Sequence, residues 1–226
     1  MNEKLPAEAE GLNMRGLILE GIPGSGKTAL LRALLLRVVE QHRGPLWVAT
    51  EHITERVLEP LAQASPLDAR THAASHLNHL FNLWEWEKAA PAGPDVGALF
   101  VLERFHLSLE SHISGIGPGE FQAWDERLAE LGGHLLFLTL PETEILEKSV
   151  RETLARRSIH WRAYLESLAM TEEAIAEHFQ AEQEKMRRLF CASHIRKTEL
   201  SRTALPLEQM VTVACDILGL KTDTSP

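Results

Sequence analysis

Eight consecutive residues carry the clearest chemistry in the chain: Gly21, Ile22, Pro23, Gly24, Ser25, Gly26, Lys27 and Thr28. They spell G-x-x-x-x-G-K-[ST], the phosphate-binding P-loop. Glycines let successive backbone N–H groups turn toward one anion with no Cβ in the way. A helix starting here adds the partial positive charge of its N-terminus. Lys27 would reach the β- and γ-phosphates of a nucleoside triphosphate, and the Thr28 hydroxyl would bind Mg²⁺. A glycine-rich turn can match this pattern by chance, so the flanks decide. Residues 15–20 form a short apolar strand, and residues 29–40 carry apolar side chains at 30, 31, 34, 35, 38 and 39, the spacing of a buried helix. Strand, loop and helix in that order are the context the motif requires.

Further carboxylates and cations follow predicted strands. Leu46 to Thr50 is a second buried strand, ending at Glu51-His52. Gly97 to Glu103 is a third, a continuous apolar run ending in a carboxylate with Arg104, Phe105 and His106 directly behind it. The P-loop, Glu51 and Glu103-Arg104 therefore converge on one crevice if the strands lie parallel, because ligands bind at the carboxyl ends of such sheets. Glu51 could be a general base, or only a carboxylate favoured at a helix start. Glu103 and Arg104 could be only a surface ion pair, but their place at a strand end in the crevice favours a functional role.

The rest of the chain supplies the frame. Helices are expected over 54–63 and 67–88, then 120–131 after a loop at 114–119. A fourth strand runs from His134 to Leu140, and Pro141 opens a charged helix through Arg157. Helices over 159–170 and 172–190, a weaker fifth strand over 193–197 and an amphipathic helix over 207–218 complete the pattern. Thr171 is a natural N-cap, with Glu172 and Glu173 suiting the positive helix end. Strands alternating with helices predict an α/β, three-layer P-loop NTPase fold, with about five parallel strands and helices on both faces.

Bulk properties narrow the function. The 226 residues suit a single P-loop domain over 1–226 with loose tails at 1–13 and 221–226. A formal charge of −9 argues against a nucleic-acid polymer as partner. Cys191 and Cys215 lack metal or redox spacing, which fits two buried thiols in a reducing cytoplasm. No apolar stretch is long enough to span a membrane. His72, His76 and His79 share a helical face, but no carboxylate or cysteine falls at a zinc spacing beside them. Phe81, Trp84 and Trp86 could stack on a flat acceptor or simply fill core. Asn78 and Asn82, one helical turn apart, could read a base edge or face water.

Taken together, these motifs resemble the P-loop kinases of nucleosides and nucleotides, the thymidylate kinase and deoxynucleoside kinase group. The resemblance spans about residues 15 to 219 and rests on the P-loop, on Glu103-Arg104-Phe105-His106-Leu107-Ser108, and on Leu140-Pro141-Glu142 leading into an arginine-bearing helix. It implies an ATP-dependent phosphotransferase with ATP and Mg²⁺, acting on a small nucleoside- or nucleotide-like acceptor. It places Glu103 and Arg104 beside the phosphates and Mg²⁺, with Glu103 a metal ligand alongside Thr28. It also implies a helical lid over about residues 142–162 that supplies arginines, here Arg151, Arg156 or Arg157. Kinases of this group are often dimers, so a homodimer is a candidate assembly. Departures exist. Thymidylate kinases usually read Asp-Arg-Tyr where this chain has Glu103-Arg104-Phe105, with Tyr-Gln where it has His112-Ile113. They commonly carry Asp in place of Pro23 and an arginine where Thr50-Glu51-His52 stands. Deoxynucleoside kinases carry a glutamate there that deprotonates the acceptor hydroxyl, and Glu51 resembles it. A GTPase would need Asn-Lys-x-Asp and an ABC motor Leu-Ser-Gly-Gly-Gln; neither occurs. The remaining rivals are a P-loop regulator that transfers no phosphate and a degenerate, catalytically silent binding module, against which the intact Lys27 and Thr28 speak.

Overall fold

In a computed structural model of the chain, residues 14–50, 66–89, 97–112, 118–156 and 159–221 are described. Five parallel strands form one sheet in the order β2-β3-β1-β4-β5: β1 Met14–Glu20, β2 Leu46–Ala49, β3 Ala98–Glu103, β4 Gly133–Thr139 and β5 Arg196–Ser201. The chain places β2 and β3 on one side of β1, and β4 and β5 on the other. The carboxyl end of β1 is therefore where the winding reverses, the place where such sheets open a crevice.

Side chains alternate across the strands, so each face builds its own core. Leu17 and Leu19, with Leu99, Val101, Leu136 and Leu138, meet α1 (Lys27–Gln41) on one face. Met210, Ala214 and Leu218 of the last helix, Leu207–Leu218, pack on that same face. Ile18, Phe100, Leu102, Leu135 and Phe137 point the other way, into the larger helical layer. That layer contains α2 (Pro66–Ala89), α3 (His106–His112) and α4 (Pro118–Glu130). It continues through α5, the helical run 142–156, then α6 (Ile159–Leu168) and α7 (Glu172–Ala192). The last helix becomes α8. The three-layer α/β architecture is thus as the alternation of strands and helices predicts. No helix of the described residues is long and apolar enough to cross a membrane.

Several local expectations are corrected. A helix over 106–112 was not expected, and α4 begins at Pro118 rather than 120. The fifth strand lies at Arg196–Ser201, not 193–197. Ser193 instead ends α7, its N–H bonded to the Leu189 carbonyl at 2.9 Å. β5 is an edge strand with one fully buried side chain, Leu200, so its apolar signal is weak. Cys215 is buried, and burial raises its thiol pKa, but Cys191 is exposed. The charged helix after Pro141 is not uniform: Glu142–Ile145 is α-helical, Leu146–Arg151 is a π turn, and Glu152–Arg156 returns to α. The helix expected over 54–63 lies outside the described residues. Thr171 does cap α7, accepting from the Ala174 N–H at 3.2 Å.

Candidate active site

The P-loop takes the backbone shape its glycines permit. Gly21, Gly24 and Gly26 have φ of 144°, 79° and 98°. A Cβ on Gly21 would lie 2.3 Å from the Leu138 carbonyl oxygen, and one on Gly24 would lie 2.4 Å from that of Lys148. Four successive loop carbonyls each accept a side-chain hydrogen bond, two from within the motif and two from outside it. Lys27 Nζ donates to Gly21 O at 2.7 Å and Ile22 O at 2.9 Å. The Ser149 hydroxyl donates to Pro23 O at 2.6 Å, and Arg202 Nη1 donates to Gly24 O at 2.6 Å. Across a trans peptide the N–H points opposite to its carbonyl, so anchored carbonyls turn N–H groups the other way. Ser25 Oγ is fully buried in the loop without a hydrogen-bond partner among the described residues. Such an orphaned donor, beside glycines and the start of α1, fits a phosphate.

The parallel register brings the second motif alongside. Leu19 pairs with Glu103, so the end of β3 lies level with the end of β1. Thr28 Oγ1 donates to Glu103 Oε1 at 2.6 Å, joining residues from two motifs. Among the described residues no group of three or more His, Cys, Asp or Glu side chains is placed to hold a metal ion. Two oxygens from Thr28 and Glu103 suit Mg²⁺, which usually takes only one or two protein ligands and fills its shell with phosphate oxygens and water. Arg104 follows, 2% exposed, with φ of 60°, an uncommon left-handed conformation for a residue with a side chain.

Glu20 holds that turn, a role sequence reasoning missed. Its fully buried carboxylate accepts from the N–H groups of Phe105 at 2.9 Å, Leu107 at 3.0 Å and Ser108 at 3.4 Å. The Ser108 hydroxyl adds a 2.6 Å bond. These amides are the orphan donors at the start of α3, so Glu20 caps that helix from another strand. The available signal was an acidic residue closing an otherwise apolar strand. Gln183 does similar work at β4, its side-chain amide pairing with both Leu140 N–H and C=O at 2.9 Å. That fixes the point from which α5 departs.

His106, which the motif puts directly behind Arg104 and Phe105, lies in the helical packing layer. It is fully buried, 3.1 Å from Asp125 and stacked on Phe121 at 5.3 Å. Asp125 also accepts from the Ser193 hydroxyl and the His194 N–H, each at 2.6 Å. Burial pushes the Asp125 pKa up, but those bonds outweigh it and leave the carboxyl below its ordinary value. The cluster ties α3, α4 and the end of α7 together.

Of the three lid arginines, Arg151 is the one whose side chain is described. Arg151 is 48% exposed and donates to Glu172 at 2.8 Å, with Glu147 at 3.8 Å. Its bond to Glu172 raises its pKa further. The structure therefore does not bring Arg151 to the P-loop. The π turn instead presents Ser149 and the Lys148 backbone there, with Lys148 paired to Glu152 one turn on. The side chain of Arg156, and Glu51 and Arg157 entirely, lie outside the described residues, as do the side chains of His72 and His76. His79 stacks on Trp47 at 5.3 Å. The Arg127 guanidinium lies 4.3 Å from the Phe81 ring centroid, and Trp84 meets Phe81 edge-on at 5.8 Å. Asn78, Asn82 and Trp86 are exposed.

No protein-family model matches the chain, and no curated protein matches its sequence. Solved structures do match its shape. A YorR protein from Bacillus subtilis, solved in complex with phosphorylated GDP, superposes with a TM-score of 0.58 at 10% identity, covering 90% of this chain and 95% of that one. A deoxyadenosine kinase from M. mycoides, solved with the products dCMP and a flexible dCDP, gives a TM-score of 0.47 at 9% identity, covering 90% and 98%. The likeness to the YorR structure is one of fold: a three-layer α/β sheet with a P-loop after its first strand.

Proposed function

We propose that this protein is an ATP-dependent small-molecule kinase whose acceptor is nucleoside- or nucleotide-like. The carrying observation is the meeting of two motifs: the Thr28 hydroxyl on the Glu103 carboxylate, beside a P-loop whose carbonyls from Gly21 to Gly24 are each held by a side chain. A structural neighbour solved with phosphorylated GDP supports a nucleotide-like ligand. In this reading, the residues 21–28 cradle the triphosphate of ATP, and Lys27 leaves its loop carbonyls for the β- and γ-phosphates. Thr28 and Glu103 hold Mg²⁺, which neutralises charge on the phosphates. Arg104, fixed in its strained turn through Glu20, faces the transferring group from the end of β3. Positive charge there is worth most where charge develops in the transition state. Arg156 remains the lid cation of this proposal; Arg151 serves only if its pair with Glu172 opens.

Glu51 decides the acceptor class. A monophosphate attacks with an oxygen already charged and needs cations, whereas a hydroxyl must lose a proton to a base. A glutamate after β2 therefore favours a hydroxyl acceptor over a thymidylate-type monophosphate. Incubating the protein with MgATP and a panel of nucleosides and nucleoside monophosphates, with product masses read out, tests the kinase reading. At least one acceptor should gain a phosphoryl group; hydrolysis alone, or no ATP consumption, leaves the regulator reading in its place. With the best acceptor, Glu51→Gln should lower turnover by roughly 10²- to 10⁴-fold while ATP affinity holds. Near-normal turnover would return monophosphates to first place.

A further inference from the structure

The P-loop is clamped by two side chains from outside it, neither of them a residue that the sequence singles out. Ser149 comes from the π turn after β4, and Arg202 from the turn between β5 and α8. They bind the carbonyls of consecutive residues, Pro23 and Gly24, at 2.6 Å each. Those two peptide units flank Gly24, the residue at φ 79° with no side chain to restrict it. Peptide flips are easiest beside glycine, so the clamp sits where the loop is freest. Ser149 is fully buried, so its bond is shielded from water. The Cγ and Cδ atoms of Arg202 lie 3.9 and 3.4 Å from where a Cβ of Gly26 would stand, so its stem also lines the loop. π turns are rare and recur at functional sites. Here the extra residue per turn carries the Ser149 hydroxyl and the Lys148 carbonyl onto the same loop.

We infer that Ser149 and Arg202 are positioning residues that hold the Pro23–Gly24 and Gly24–Ser25 peptides so that the loop is shaped for phosphate before any ligand arrives. This rests on the nucleotide-binding role proposed above. The benefit is preorganisation: a loop already in its binding shape loses less conformational freedom on binding. It acts on the phosphate chain and not on the base. Removing either clamp should therefore weaken every polyphosphate ligand by a common factor.

The test is titration calorimetry of the full chain with MgADP and with magnesium tripolyphosphate, which has no base. Ser149→Ala removes one hydroxyl and no charge. Arg202→Met keeps a stem against Gly26 and removes the donor. Each should raise both dissociation constants about 5- to 10-fold, the usual worth of one hydrogen bond. Circular dichroism and a cooperative melt should show folded protein. Arg187→Ala, which deletes an exposed arginine paired with Glu199, should change neither constant. If Ser149→Ala lowers the folded fraction, Arg202→Met on its half-buried turn carries the test alone. Unchanged constants in a folded variant overturn the inference. So does a loss confined to MgADP, which would assign Arg202 to the nucleoside end. If wild type binds neither ligand, the nucleotide-binding role itself fails and this inference falls with it. If wild type binds and the variants match it, only the clamp fails.

Discussion

The P-loop and helix α5 meet in one crevice, yet the sequence specifies them in different ways. In the loop, function is carried by the backbone. Glycines at 21, 24 and 26 permit the positive φ found at each, and their spacing with Lys27 and Thr28 is visible in the sequence itself. In α5, function is carried by side chains whose direction depends on helical phase. A regular α-helix turns about 100° per residue, but a π turn adds a residue and shifts everything after it. Leu146–Arg151 is such a turn, and it brings Ser149 to the loop while Arg151 faces Glu172. A motif defined by backbone conformation survives being read as a string of letters. A motif defined by which face a side chain occupies does not.

The largest expected effect separates the two regions outright. Lys27→Ala should reduce phosphoryl transfer by at least roughly 10²- to 10³-fold, the usual effect of deleting a group that meets developing charge. Steady-state rates beside circular dichroism check that the protein stays folded; full activity in a folded variant would remove the loop from the chemistry. Next come Glu103→Gln and Arg104→Ala. Each should lower kcat by about 10- to 100-fold with little change in ATP affinity, since both act mainly in the transition state. A change in melting temperature alone would make them structural. Arg151→Ala should be far milder, within about twofold in kcat, because an exposed pair contributes little. A loss comparable to that of Arg104→Ala would show that α5 rotates on binding and that the comparison drawn above is wrong.

The smallest effect concerns stability and pH. His134, bonded to Thr198 at 2.9 Å, has its pKa lowered to about 4, first by burial and then by the Arg196 charge. The unfolded chain takes up this proton near pH 6.5, before the folded one does. Stability present above about pH 6.5 should therefore fall as pH drops toward 4. His134→Gln should flatten that part of the curve, as followed by urea unfolding at several pH values. An unchanged slope would place the acid sensitivity elsewhere.

How much was legible follows the same physics. Strands β1, β3 and β4 were plain, because central parallel strands are continuous apolar runs and these are buried along nearly their whole length. β5 was misplaced because an edge strand needs no such run; Ile195, buried just before it, drew the expected strand too early. α3 was missed because its start is capped from afar by Glu20, with no local cap residue to announce it. Glu103 and Arg104 stand out as candidates in the sequence because they close an apolar strand, and β3 does end there. Ser149, Arg202 and Glu20 were not, because each acts through a contact between residues far apart in sequence.

In the function proposed here the nucleotide binds in the crevice at the carboxyl ends of β1 and β3. Hydrogen exchange of the full chain, with and without MgATP, tests it most directly, since exchange reports local protection segment by segment. Slowed exchange is expected in peptides covering residues 21–28 and 103–108, with the outer face of α1 and α8 unchanged. No protection at saturating MgATP, or protection confined to segments away from the P-loop, would contradict it.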